Sequence, residues 1–526
     1  MSGGILFTLY LQTQVATGVY FSGDGGLKAL LAQQLGSGLL QFNLSIPEAD
    51  WVQQLWNDGL YPYDEPYVYQ VAEKYFITFP YTFPLVTAPF YSLLGDRGLY
   101  IIPLVSCWFT WLVFYWDCLR LKLASWITAL GLFALIFASY LTIYSAMYWE
   151  HTLAVALSFS GISYWFLAHR RSSFQGIISG IAVGLAVWFR PEFICTVAIF
   201  MGLGILNITY SWWQKLKLAK EFKPLVFPIK EQIIYLSAML LTVGGFFLNN
   251  KLIYGYVVGI HGIQVVESVQ LSDRFLGAWR NFTDMTTALF YFFPLLFVPI
   301  AYGLICFYRS WLNKKLSFNW LWLIVCLAIF SYIIGVSLLV PVGTAGLISG
   351  GKQWGIRFLL LVVPVVVLLI CSQLQAIEKD KAAKYMLLSL FSMAIAFGIA
   401  KNTFEATKAL QKNTIVAVPA IQYLATDSNS VIATSHQFVG QALEAATTDK
   451  YWFTVDTPGK LIQLAQTLTT QSINSFTYIC YPHRACNVPE FSATEMQFIK
   501  SDRIYQIELQ SKGKFGKYPI YSGEIK

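Results

Sequence analysis

The chain has 526 residues, of which 56% are hydrophobic and only 12% charged, with a mean hydropathy of +0.54. This composition excludes an ordinary water-soluble enzyme and a disordered chain, and it is that of a polytopic α-helical membrane protein. The net charge of +8 does not argue for nucleic acid, because the basic residues sit in short loops between apolar runs, where they set membrane orientation.

The first apolar segment, residues 4–21, contains Gln12, Gln14 and two threonines and reads as a weak spanning helix that must pack inside the protein. It has no basic leader region and no small-residue cleavage site, so no cleavable signal peptide is expected. Asp24 follows at its end, in Ser22-Gly23-Asp24-Gly25-Gly26-Leu27-Lys28. An acid at a membrane rim is costly unless it faces a wet cavity or a partner, which marks it as a functional candidate; the plain alternative is an interfacial acid that ends a helix. From Asp24 to Leu40 the spacing of Leu27, Leu30, Leu31 and Leu35 predicts a helix along the membrane surface. Residues 22–98 form a long outer loop. Trp51, Trp56, Tyr61, Tyr63 and Tyr67 within it suit either sugar stacking or interfacial anchoring. The stretch 80–94, interrupted by prolines, is too short for a span and reads as re-entrant or interfacial.

Spans are then expected at 99–117, 124–143, 151–168, 174–189, 193–210, 231–249, 284–306, 318–340, 358–375 and 385–401, about eleven with the first. Arg120 with Lys122, Arg170 with Arg171, the lysines at 215, 217, 220, 223 and 230, Arg309 with Lys314 and Lys315, and Lys379, Lys381 and Lys384 then all fall on one side. The positive-inside rule makes that side cytoplasmic, with the N-terminus, and leaves the C-terminal region extracytoplasmic. The division expected is a membrane module over 1–401 and an outer α/β domain over 402–526. In the latter, strands are read at 431–434, 451–455 and 476–480, helices at 437–446 and 458–469, and a closing strand pair at 504–509 and 518–525. Cys480 and Cys486 in this region are candidates for a local disulfide, and the six other cysteines fall in or beside apolar runs as small buried side chains.

The short outer loops carry the chemistry-bearing residues. Glu150 and His151 end Tyr144-Ser-Ala-Met-Tyr148-Trp149-Glu150-His151; Arg190 and Glu192 flank Pro191 and can pair with each other; Lys352, Gln353, Trp354 and Arg357 precede a span. Short loops in a compact bundle lie near one another, so these groups can line one outward cavity. A cation at a helix start opposes the macrodipole, so Arg357 is expected to have an anionic partner.

Five stretches in order resemble the GT-C superfamily of membrane glycosyltransferases, which includes protein O-mannosyltransferases, aminoarabinose transferases and bacterial relatives. They are the Asp24 segment, the proline-containing run Phe79–Gly95, Tyr148–His151, Trp188–Glu192 and Gly350–Leu359. The resemblance implies a sugar transferred, with inversion, from a polyprenyl-phosphate donor to an acceptor hydroxyl outside the cytoplasm, in a bacterial inner membrane. It implies Asp24 and Glu150 as catalytic acids, Arg357 and Lys352 as donor-phosphate ligands, and Tyr148, His151, Arg190, Gln353 and Trp354 as cavity-lining residues. It leaves the acceptor open as glycan, lipid or protein. Many relatives carry Asp-Glu at the first site; here Gly25 follows Asp24, which puts a first-loop metal pair in doubt, so a divalent cation is left open and no metal ligand is assigned. A lipid or envelope-polymer transporter would show inverted repeats and mid-membrane helix breaks, which the sequence lacks; a non-catalytic envelope scaffold leaves the loop acids without a role.

Overall fold

The structure, a computed structural model, describes residues 1–167, 172–215, 228–260, 263, 271–313, 320–340, 354–377, 381–483, 486, 488, 496–500 and 503–526. Lys352 and Gln353 lie outside the described residues, as do Arg170, Arg171, Lys217, Lys220, Lys223, Lys314, Lys315 and Lys379.

The helices in chain order begin with α1 (Ser2–Thr13), α2 (Gly23–Gly36), α3 (Asp50–Leu55), α4 (Thr82–Leu94), α5 (Ile101–Arg120) and α6 (Ser125–Phe133). They continue with α7 (His151–Phe166), α8 (Ser173–Phe189), α9 (Ile194–Lys215), α10 (Ile229–Tyr254), α11 (Leu271–Phe292) and α12 (Phe297–Asn313). The last are α13 (Trp320–Leu339), α14 (Val362–Ala376), α15 (Lys381–Ile399), α16 (Ala406–Thr426), α17 (Gln437–Leu443) and α18 (Pro458–Thr470). A hairpin of β1 (Val68–Val71) and β2 (Lys74–Ile77) precedes α4, and strands β3 (Val431–Thr434), β4 (Tyr451–Thr454), β5 (Ser475–Ile479), β6 (Gln497–Lys500), β7 (Arg503–Phe515) and β8 (Tyr518–Ile525) follow α16.

Among the described residues, six helical runs are long and apolar enough to cross a membrane: Thr82–Arg120, Pro191–Thr209, Ile229–Tyr254, Pro294–Trp311, Leu321–Leu339 and Lys381–Thr426. The first is not one rod. Gly95, at φ +61°, closes α4, and a 3-10 turn over Gly95–Tyr100 leads into α5. Two predicted spans are also broken. The one at 124–143 ends in a π turn over Ala134–Ala138 and an extended Ser139. The one at 284–306 is interrupted at Phe293, because Pro294 has no N–H to continue the ladder and instead starts a fresh 3-10 turn. In the other direction, the last predicted span does not stop at 401: the helical run continues to Thr426, through a π turn over Ala400–Glu405.

The chain forms two compact units: Met1–Gln12 with Tyr100–Thr407, and Thr13–Leu99 with Lys408–Lys526. Residues 13–99, which the sequence division at 401/402 places with the membrane module, fall in one compact unit with residues 408–526. The first unit is a helical bundle. Its tightest pairing uses Gly176, Gly180 and Gly184, one per helical turn on α8; a Cβ at Gly180 would come 2.4 Å from the backbone oxygen of Tyr235 on α10. Small residues at this spacing let membrane helix backbones approach, where dispersion contacts replace the missing hydrophobic drive.

The second unit contains a six-stranded sheet in the order β4-β3-β5-β8-β7-β6. β3 pairs in parallel with β4 and β5, and β8 and β7 close the sheet antiparallel. Its core gathers Leu424 from α16, Ile432 from β3, Leu443 from α17, Trp452 from β4 and Ile479 from β5. Trp56, Tyr61 and Tyr63 are drawn into this unit, whereas Trp51 and Tyr67 stay half-exposed. Tyr61 stacks on Tyr75 of β2 with centroids 3.7 Å apart, Trp56 donates to the Trp452 carbonyl at 3.1 Å, and Trp51 packs on Tyr451 and Phe453. Trp56, Tyr61 and Tyr63 are buried, because the β1–β2 hairpin folds the segment back onto β4 and α17. The helix predicted on the membrane surface, α2, is buried along most of its length, with the α17 residue Gln441 against Gly23 and Gly26 and Ser92 of α4 donating to the Gly36 carbonyl at 2.6 Å.

Candidate functional site

In the first unit, two short connections supply a buried charged cluster. Glu150 is the N-cap residue of α7, where an acid suits the positive end of the helix dipole. Its carboxylate makes no capping bond; it accepts from Arg190 Nη1 at 2.8 Å. Arg190 caps the C-terminus of α8 in an extended conformation, and Pro191 begins the 3-10 turn Pro191–Phe193 with its fixed φ. That turn brings Glu192 back under the guanidinium, so Arg190 Nε donates to Glu192 Oε1 at 2.7 Å. The expected Arg190–Glu192 pair therefore forms, and Glu150 joins it. Glu150 is 1% exposed, and Arg190 and Glu192 are 6% exposed. Burial works against the charge on Arg190, but Glu192 and Glu150 outweigh it and hold the guanidinium protonated above its ordinary range.

Arg357 is the second guanidinium. It starts the 3-10 turn Arg357–Leu359, two residues after Gly355. Gly355 has φ +70° and lies so close to the ring of Tyr140 that a Cβ would come within 2.6 Å, so only glycine makes this approach without strain. Arg357 lies over the rings of Trp149, at 4.8 Å, and Phe358, at 5.0 Å, and Arg190 lies 5.1 Å from Phe358. Phe358 thus faces both cations, an arrangement that favours positive charge through the ring quadrupole. His151 is buried among aromatic rings, 5.5 Å from Trp149, 5.9 Å from Tyr144 and 6.3 Å from Phe358. Glu150, His151, Arg190 and Arg357 are therefore gathered around shared rings.

The segment carrying Trp354 and Arg357 is tied down from both sides. Tyr144 donates to the Trp354 carbonyl at 2.9 Å, and Trp354 Nε1 donates to Asn402 Oδ1 at 3.2 Å. Asn402 in turn donates to the carbonyls of Ala138, at 3.0 Å, and Phe292, at 2.7 Å. It sits in the π turn within the 381–426 helix, a distortion that recurs at functional sites. Phe358, Tyr144 and Asn402 were not singled out by sequence; the signal for Asn402 is one amide in an otherwise apolar run. Tyr148 is buried, with its ring 6.1 Å from that of Tyr100.

Asp24 belongs to the second unit. It lies in the first turn of α2, half-buried, where the helix dipole favours a carboxylate. On the same helix Lys28 is buried with its ammonium 4.3 Å from the ring of Phe79. Gln33 donates to Asp96 at 3.1 Å and to the Ala445 carbonyl at 2.8 Å. Elsewhere in this unit Tyr63 donates to Glu444, and burial pushes the Glu444 carboxyl up to about 7 despite that bond. Cys480 and Cys486 are joined by a disulfide. Among the described residues, no three His, Cys, Asp or Glu side chains come together as a metal-holding group.

No family model matches the chain, and no curated protein matches its sequence. Solved structures do match. Over 99% of this chain and 97% of the other, it is similar to ArnT from Cupriavidus metallidurans bound to undecaprenyl phosphate, with 12% identity and a TM-score of 0.57. The apo state of that ArnT matches over 98% and 97%, with 11% identity and a TM-score of 0.55. An Archaeoglobus fulgidus oligosaccharyltransferase tethered with an acceptor peptide matches over 90% of this chain and 68% of the other, at 11% identity and a TM-score of 0.45. Over nearly its whole length, the chain has the fold of ArnT.

Proposed function

We propose that the protein is an integral membrane glycosyltransferase of GT-C type that moves a sugar from a polyprenyl-phosphate donor to an acceptor hydroxyl on the extracytoplasmic face, with inversion. The observation that carries this reading is the likeness along the whole chain to a structure holding undecaprenyl phosphate, and the two guanidiniums gathered around Phe358 are consistent with it.

The reaction breaks the bond between the anomeric carbon and a phosphate oxygen and forms a bond from that carbon to the acceptor oxygen. The electron pair of the broken bond stays on phosphate, so no acid has to protonate the leaving group. Arg357 takes that developing charge, with a planar fork suited to phosphate oxygens; Lys352 is the second phosphate ligand in this reading. Glu150 and Glu192 hold Arg190 in one orientation, and Arg190 adds positive potential beside Phe358. The acceptor hydroxyl gives its proton to the Asp24 carboxylate as it attacks. Attack opposite the leaving phosphate inverts the anomeric carbon.

The test is release of polyprenyl phosphate from a panel of polyprenyl-phosphate sugars in proteoliposomes with an envelope extract as acceptor. Arg357→Ala and Asp24→Asn are each expected to lower kcat by about a hundredfold or more, at unchanged protein level, and product NMR is expected to show the inverted anomer. Turnover unaffected by both substitutions would overturn the reading.

A further inference from the structure

Two segments of the second unit carry lysines and no acid. Residues 406–426, which make up α16, hold Lys408 and Lys412. Residues 509–523, from β7 through its turn into β8, hold Lys512, Lys514 and Lys517. The acids that bound these segments are engaged elsewhere: Glu405 pairs with Lys401, Glu508 and Glu524 both pair with Lys526, and Asp427 accepts from Thr477.

The fold brings the two segments together. Phe515 packs on Tyr423 of α16 with ring centroids 4.3 Å apart. The turn that follows is pinned to the same helix, where Lys517 N–H donates to the Val416 carbonyl at 3.2 Å. Gly516, at φ +60°, makes this approach possible, since a Cβ there would come within 2.4 Å of the Val416 oxygen. Lys412 stands one helical turn before Val416 and Lys514 two residues before Gly516, so they flank one contact. Alternation along β7 turns Lys514 to the face opposite Phe515, and Lys512 sits at the bulge between Ser511 and Gly513.

Lys408, Lys412, Lys512 and Lys514 are all exposed. Among the described residues none of the four enters an ion pair; Lys512 donates to the exposed Gln510 at 3.1 Å. Docking the turn on α16 thus gathers like charges with no acid among them, a repulsion that an anionic surface relieves. Spacings of four and three place Lys408, Lys412 and Ile415 on one side of α16, and Ile415 is 68% exposed. α16 ends the helical run Lys381–Thr426, which is long and apolar enough to cross a membrane. Lys408 comes four residues after Phe404, itself 63% exposed in that run.

We propose that this lysine patch is a docking surface for the anionic headgroups of membrane phospholipid. The lysine stems lie along apolar surface with their ammoniums at the level of the phosphates, and Ile415 enters the boundary beneath them. Each lysine beside an anionic bilayer strengthens such docking by about fivefold. A soluble polyanion would answer the charge alone. It leaves the exposed isoleucine, and the place of the patch directly after a membrane-crossing run, without a role. The inference does not depend on the transfer reaction.

The test uses the full chain in lipid discs of phosphatidylcholine alone, or of equal parts phosphatidylcholine and phosphatidylglycerol. Labelling of each lysine by an amine-reactive ester is followed by mass spectrometry. In the anionic discs, labelling of Lys408, Lys412, Lys512 and Lys514 is expected to slow by about tenfold or more, and high salt is expected to reverse most of the effect. Lys460, which pairs with Asp456 at 3.0 Å on the same unit, is expected to change little. Lys412→Glu combined with Lys514→Glu is expected to release Lys408 and Lys512, whose labelling in the anionic discs then returns to within about twofold of the phosphatidylcholine rate. Both positions are exposed, and melting curves check that the variant folds. Equal labelling in the two kinds of disc would overturn the inference. So would slowing shared by Lys460, or slowing of Lys408 and Lys512 that survives the double substitution in folded protein. Slowing produced by dextran sulfate in phosphatidylcholine discs, but not by phosphatidylglycerol, would assign the patch to a soluble polyanion instead.

Discussion

Arg190 keeps its charge despite burial because Glu192 and Glu150 both pair with its guanidinium. Removing one partner of a buried pair leaves the other uncompensated, at about 3–5 kcal/mol. Arg190→Ala is therefore expected to lower the melting temperature of the purified protein markedly, and Arg190→Lys to recover only part of it, because an ammonium cannot serve two carboxylates through a planar fork. An Arg190→Ala variant as stable as wild type would contradict this. Glu444 gives a second prediction at the same scale. Its carboxyl is raised from 4.5 to about 7 by burial, so the folded state binds the extra proton and the unfolded state does not. That contribution to stability is fully present below about pH 4.5 and is lost as the pH rises through about 7. The melting temperature of wild type should carry a component that falls between pH 5 and 8, and Glu444→Gln should lack it; a parallel profile in the two proteins would refute the assignment. The charged members of the first-unit cluster were legible in the sequence because ionisable residues beside apolar runs are conspicuous. Phe358 and Asn402 were not, since a phenylalanine at a membrane segment and one amide in a helix look the same whether or not they hold a neighbouring arginine loop in place.

Helix pairing in the bundle depends on contact between backbones. Gly180→Leu places a side chain where a single Cβ already meets the Tyr235 carbonyl, and overpacking of this kind costs about 1–3 kcal/mol or more. The variant is expected to lose yield and melt earlier in detergent, whereas Gly202→Leu, whose Cβ meets nothing within 4 Å, is expected to be neutral; equal behaviour of the two would contradict the packing account. Strands β3, β4, β5, β7 and β8 were read from the sequence, whereas the β1–β2 hairpin and β6 were not. The run Val431-Ile432-Ala433-Thr434, rich in β-branched residues, placed β3 at 431–434, as observed. Composition alone does not show where a helix bends inside an apolar run, and that is why the breaks at Ser139 and Phe293 went unread. The outer-loop tryptophans and tyrosines illustrate the same limit. Their abundance was visible, but their burial depends on a hairpin that folds them onto β4, a contact about 400 residues away in sequence.

For the whole molecule, the chain divides into a helical unit, residues 1–12 with 100–407, and a unit that holds the six-stranded sheet, residues 13–99 with 408–526. Residues 13–99 were assigned to the membrane module because they lie between apolar segments; they pack instead with 408–526, through contacts such as Trp56 to Trp452 and Tyr63 to Glu444. Sequence order is a poor guide to domain membership when a long insertion carries its own aromatic core. In the proposed reaction the arginine-lined cluster of the first unit seats the phosphate of a lipid carrier. The most direct measurement compares binding of undecaprenyl phosphate and undecaprenol to the purified full chain by native mass spectrometry, in wild type and Arg357→Ala. Wild type is expected to prefer the phosphate by about tenfold or more, and Arg357→Ala to lose most of that preference. Equal binding of the two lipids by wild type, or an undiminished preference in Arg357→Ala, would contradict it.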